Sequence, residues 1–153
     1  MVTNCLPAKR KMAETPNTSL FDILKAPPDE ATLVSSLRAV KNQIIGNHHK
    51  KNEYRGTGLL PLVIQLAEKH STPAVLLQVS AILYSMAAGG GTAAALGIEA
   101  ANGPQLLCRM LVVADTDDVI LGATRALKHL YDVCSRAAVH VPYAYTGCCD
   151  VAH

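Results

Sequence analysis

Several short clusters hold residues that do chemistry elsewhere. His48-His49 stands beside Lys50-Lys51, and paired imidazoles serve as metal ligands when other ligands converge on them. Here the pair lies in a lysine-rich polar stretch, HHKKNEYRGT, which reads as a solvated joint between helices. Gly89-Gly90-Gly91-Thr92 has the glycine density of a phosphate cradle. It lacks both the preceding strand and the G-x-x-x-x-G-K-[ST] spacing, so it reads as a turn. Asp115, Asp117 and Asp118 resemble the start of a calcium loop. Counted from Asp115, the sixth residue is not Gly and the twelfth is not Glu, so the cluster reads as an acidic first turn favoured by the helix dipole. The five cysteines are Cys5, Cys108, Cys134, Cys148 and Cys149, with no CxxC spacing. Cys108 and Cys134 fall in helical patterns and read as small buried hydrophobes, which suits a reducing compartment. Cys148-Cys149 is a vicinal pair in a weakly patterned tail. No Ser, His and Asp set stands out for nucleophilic catalysis. The sequence therefore predicts no catalytic, cofactor-binding or metal-binding residues.

What would position any site is a recurring helix. In PAVLLQVSAILYSMAA, residues 73–88, Val75, Val79, Ile82 and Met86 follow the +4, +3, +4 spacing of one helix face. The same stripe occurs 42 residues earlier as Leu33, Leu37, Val40 and Ile44. It occurs 44 residues later as Val119, Ala123, Ala126 and Leu130. Recurrence at that period marks a helical repeat array of the HEAT/armadillo size class.

Start and stop signals divide the array. Asp29 is a candidate N-cap for a helix over 30–45, which Gly46-Asn47 ends. Residues 48–57 can form one short exposed helix. Gly58 opens the next, with Pro61 in its first turn, closing near Lys69. Ser71-Thr72-Pro73 leads into the central helix, and the glycine triplet breaks the chain before a short helix, TAAALGIEAA. Pro104 starts a helix through Val113, and a last helix runs over 117–135. The unit is a short helix, a glycine, a helix with an early proline, a tight joint and a long helix. It appears fully twice, with the long helix at 30–45 the remnant of an earlier unit. The predicted class is all-α: a solenoid of about two and a half repeats over 28–136. Residues 1–27 form a disordered tail in which 19–25 can make one short helix, and residues 137–153 form an irregular C-terminal tail. Lys9-Arg10-Lys11, in the first tail, reads as a solvated charge run rather than an import signal.

Charge is modest. Residues 1–57 hold nine Lys/Arg against five Asp/Glu, and residues 58–153 hold five against seven, so neither half carries the basic stripe a nucleic-acid binder needs. No Asp, Glu, Lys or Arg occurs from His70 to Ile98. That is long enough to raise a membrane span, but Gln78, Ser80, Ser85 and the glycine triplet interrupt it. A helix packed on both sides gives the same signal. The expected partners are proteins, not nucleic acid or a membrane.

This layout resembles armadillo repeats: three helices per unit, Gly between the first and second, Pro early in the second. More narrowly, VKNQIIGNHHKKNEYRGTGLLPLVIQL, residues 40–66, is similar to the first repeat of the armadillo scaffold subunits of GID/CTLH ubiquitin ligases. KNQIIGN, the lysine-rich stretch and G-x-x-P carry that likeness, which extends over about residues 28–135. The resemblance implies a non-enzymatic scaffold, cytoplasmic and nuclear, that joins ligase subunits in proteasome-dependent protein degradation. A generic armadillo adaptor for an extended peptide is the alternative. Peptide-binding armadillo proteins carry a Trp and an Asn one turn apart on each third helix. The Trp positions here hold Ala39, Ala81 and Arg125, the Asn positions hold Gln43, Ser85 and His129, and the chain has no Trp. Recognition of import cargo in that style is therefore not expected. The concave positions carried forward as partner-binding candidates are Gln43, Ser85, Arg125 and His129. Helix 117–135 also bears Ile120, Leu121, Leu127 and Tyr131 beside its stripe. These would face a following repeat, so the sequence predicts self-association, or a covering partner, at this end.

Overall fold

The computed structural model describes residues 20–139. They form helices α1 (Leu20–Lys25), α2 (Glu30–Ile44), α3 (His48–Gly56), α4 (Leu59–Lys69), α5 (Pro73–Ala100), α6 (Gly103–Val113) and α7 (Asp117–Val139), with no strand among them. The expectations for residues 1–19 and 140–153, including Lys9-Arg10-Lys11 and Cys148-Cys149, lie outside the described residues.

Local signals start and stop these helices. The Asp29 carboxylate accepts from the Thr32 amide at 2.7 Å and from its hydroxyl at 2.9 Å, capping α2. Those bonds hold the Asp29 carboxyl below its usual range. Asn47 caps α3 in the same way, accepting from the Lys50 amide at 3.0 Å. Pro73 opens α5, and Pro104 lies in the first turn of α6. The glycine triplet breaks α5 at Gly91 (φ 64°, ψ −166°) into two helical arms, residues 73–90 and 92–100.

The three stripes are the core. Leu33, Leu37, Val40, Ile44, Val75, Val79, Ile82 and Met86 are fully buried, and Val119, Ala123, Ala126 and Leu130 are at most 5% exposed. The first arm of α5 lies centrally, with α2 on one side and α7 on the other. Two complete units result: α3, α4 and the first arm, then the second arm, α6 and α7. By length and composition α5 could cross a membrane. Within this fold its apolar stripe is instead covered by neighbouring helices.

Three boundaries and faces differ from expectation. Packed structure begins at Leu20 rather than at residue 28, because Leu24 on α1 is fully buried against the first stripe. Helix α7 continues past Ser135 and Arg136 to Val139. Helix α3 is exposed over most of its length, as expected, but Lys51 and Tyr54 turn inward and are buried. The Tyr54 ring stacks on Phe21 at 6.2 Å and its hydroxyl donates to the Gln43 side-chain oxygen. Burial pushes the Tyr54 hydroxyl pKa up.

Lys51 is the unusual core neighbour. Its ammonium lies against Gly89 at the end of the first α5 arm, beside His48 Nδ1, which is 2.8 Å from the Gly89 carbonyl oxygen. The described residues give Lys51 no carboxylate partner. Loss of hydration on burial lowers its pKa. The folded chain thus releases this proton at a lower pH than the unfolded chain. Lys51 opposes folding at neutral pH, and the penalty fades as pH rises toward the ordinary value of 10.5. Lys51→Met is expected to stabilise by about 1 kcal/mol at pH 7. It should also remove the alkaline rise in stability, as urea unfolding across that pH range will show.

Candidate functional site

The long third helices α2, α5 (first arm) and α7 lie side by side, and their outward sides form one surface. Between α5 and α7 this surface deepens into a groove of about 210 Å³, with Leu77, Tyr84, Leu121 and Arg125 among its walls. The groove exists because α5 and α7 approach closely at its base. A Cβ on Gly122 would sit 2.5 Å from Ser80 Oγ and 3.3 Å from Ser80 Cβ, so only glycine admits this contact. The Ser80 hydroxyl donates to the Leu77 carbonyl at 3.0 Å, so the base carries no unsatisfied hydroxyl.

The walls are apolar with charge at the rim. Tyr84 and Leu121 are 40% and 46% exposed, so the groove presents apolar surface to solvent. Tyr84 is held edge-on to the His129 ring, at 5.9 Å and 78°. Asp118 and Arg125 line the same groove with opposite charges, and both are exposed. Further along α7, Lys128 and Asp132 pair with each other at 2.8 Å. The Lys128 hydrogen bond holds the Asp132 carboxyl below its usual range. Arg125 has no carboxylate partner among the described residues and is free to meet one from outside. The arrangement suits an extended segment that offers an apolar side chain to Tyr84, Leu77 and Leu121 and an acidic group to Arg125.

The four candidate residues separate. Arg125 lies in the groove and His129 supports its wall. Gln43 is exposed on α2, but its side-chain oxygen is engaged by Tyr54. Ser85 is corrected: it is only 7% exposed, because it falls on the inward flank of α5 one residue past Tyr84. Leu77 and Tyr84 were not singled out by the sequence, and Leu121, expected to face a following repeat, instead lines this groove beside α5. Leu77 and Leu121 stand 44 residues apart, the same offset as the α5 and α7 stripes, so carrying Leu121 back through the repeat would have found half-buried Leu77.

The other reactive clusters stay apart. Among the described residues no three His, Cys, Asp or Glu side chains gather closely enough to share a metal ion. Cys108 is exposed, not buried, because the buried side of α6 is formed by Leu106, Leu107 and Met110. Cys134 is half-buried against the core, and burial raises its thiol pKa.

No protein-family model matches the sequence, and no match emerges among curated proteins. Among solved structures the fold is similar to that of a designed armadillo repeat protein, YIII(Dq)4CqI, with a TM-score of 0.64 and 18% identity. The match covers 78% of this chain and 53% of that one, so the chain spans about half the length of the designed protein. At that identity the likeness establishes the fold: an all-α, armadillo-type solenoid.

Proposed function

We propose that this chain is a non-enzymatic armadillo scaffold that holds other proteins together, and that it does so within a GID/CTLH-type ubiquitin ligase in the cytoplasm and nucleus. The observation that carries the scaffold reading is the groove between α5 and α7, whose exposed Tyr84 and Leu121 stand beside the unpaired Arg125. The ligase assignment rests on the likeness of residues 40–66 to the first repeat of those scaffold subunits. The groove also supports a second reading, an adaptor for an extended acidic-apolar peptide unrelated to ubiquitination.

Affinity capture of the full chain from cells, compared with a Tyr84→Ala/Arg125→Glu variant, separates the two. The scaffold reading expects ligase subunits to co-purify as a stoichiometric set. The adaptor reading expects one peptide-bearing ligand, weakened about 30-fold or more by the variant, since Tyr and Arg anchors dominate such contacts. Capture of no specific protein, or a set unchanged by loss of the groove and free of ligase subunits, would remove both.

A further inference from the structure

Among the described residues one face of α7 stands uncovered, and the repeat register shows what such a face requires. On α5, Leu76, Ser80, Leu83 and Ala87 share the flank that meets α7, since Ser80 lies against Gly122, and all four are at most 4% exposed. Their equivalents 44 residues on are Ile120, Thr124, Leu127 and Tyr131. These form the matching flank of α7, yet Ile120 is 37% and Tyr131 75% exposed, Thr124 is exposed and Leu127 is only partly buried. The flank carries no charge. The Thr124 hydroxyl donates to the Ile120 carbonyl at 2.8 Å, so it asks nothing polar of whatever covers it.

We propose that a second copy of this chain docks here, α7 against α7, with the two helices antiparallel about a two-fold axis. Two observations select that occupant. The first is the spacing. Residues 120, 124, 127 and 131 are separated by +4, +3, +4, which reads the same in both directions. In an antiparallel pair one register therefore sets Ile120 against Tyr131 of the other copy and Thr124 against Leu127, leaving no position of the flank unmatched. An isologous contact needs this self-complementarity. The second is charge. Asp115 and Asp117 precede and begin α7, and Arg136 lies in its last turns, where Asp132 is already paired with Lys128. The same register brings the acidic start of each helix beside the basic end of the other, and it opposes the two helix dipoles. This interface is separate from the α5–α7 groove, so it stands or falls independently of the proposed function.

The test uses the full 153-residue chain. Light scattering after size exclusion at micromolar concentration should give about 32 kDa, two chains of 16.2 kDa. Ile120→Lys and Tyr131→Glu each alter an exposed side chain and should leave helicity unchanged. Each should raise the dimer dissociation constant about 30-fold or more. The double variant Ile120→Lys/Tyr131→Glu should recover much of the loss. Within one chain the two positions are about 16 Å apart along the helix, so recovery requires the opposing copy. A wild-type monomer overturns the proposal, including one in which residues 140–153 shield Tyr131 from solvent. A dimer indifferent to the single variants, or singles with no recovery in the double, overturns it as well.

Discussion

Val79→Asp abolishes cooperative folding, while Lys50→Asp leaves it nearly intact. Val79 sits in the middle of the α5 stripe, fully buried, with helices of the preceding and following units on either side. A carboxylate there has neither water nor a cation to face. Uncompensated buried charge costs about 3–5 kcal/mol or more, and the whole stability of a small domain is about 5–15 kcal/mol. Loss of the apolar contacts made by the two valine methyl groups adds to this. Because each unit of a solenoid is stabilised by its neighbours, damage to the central helix removes support from both sides at once. Lys50 is different. Its side chain is 38% exposed, and it pairs with Glu53 at 2.8 Å on one turn of α3. Such a pair contributes little, and reversing its charge adds only the weak repulsion of neighbours on a helix surface. Urea unfolding followed by far-UV circular dichroism should show no folded baseline for Val79→Asp. A midpoint for Val79→Asp equal to that of Lys50→Asp would mean that the stripe is not the core.

That contrast was legible in the sequence because burial along a helix follows spacing. Every residue of the three stripes is buried, and the cap at Asp29 comes from a short side chain placed one turn before an amide. Faces set by tertiary partners were not legible. The stretch HHKKNEYR is polar throughout, and nothing local says that Tyr54 and Lys51 turn inward. Tyr54 does so because Phe21 and Gln43, distant in sequence, receive its ring and hydroxyl. Helix α6 is apolar on most sides, so composition could not say that Cys108 faces outward. At the candidate surface the repeat register located Arg125 and His129, but an error of one residue on α5 separates buried Ser85 from exposed Tyr84. A helix turns about 100° per residue, so such an error exchanges one face for its neighbour.

The second large effect isolates backbone geometry from packing. Gly91 and Gly56 are alike in one respect: a Cβ added at either meets nothing within 4 Å. They differ in conformation. Gly56 ends α3 without a positive φ, whereas Gly91 lies at φ 64° and ψ −166°, a region that residues with a Cβ almost never occupy. Gly91→Ala should therefore destabilise by about 1–3 kcal/mol, with Gly91→Val at or above the upper end because its branched side chain is stiffest there. Gly56→Ala should be neutral or slightly stabilising, through the lower entropy of its unfolded chain. The kink also directs the second arm of α5, and through it α6 and α7, so strain at Gly91 loosens the second unit before the first. Amide hydrogen exchange should quicken across α6 and α7 in Gly91→Ala while α2 and α4 stay protected. The α5–α7 groove would then weaken without any change to a residue that lines it. Equal stability of Gly91→Ala and Gly56→Ala would show that the two arms do not depend on this backbone conformation.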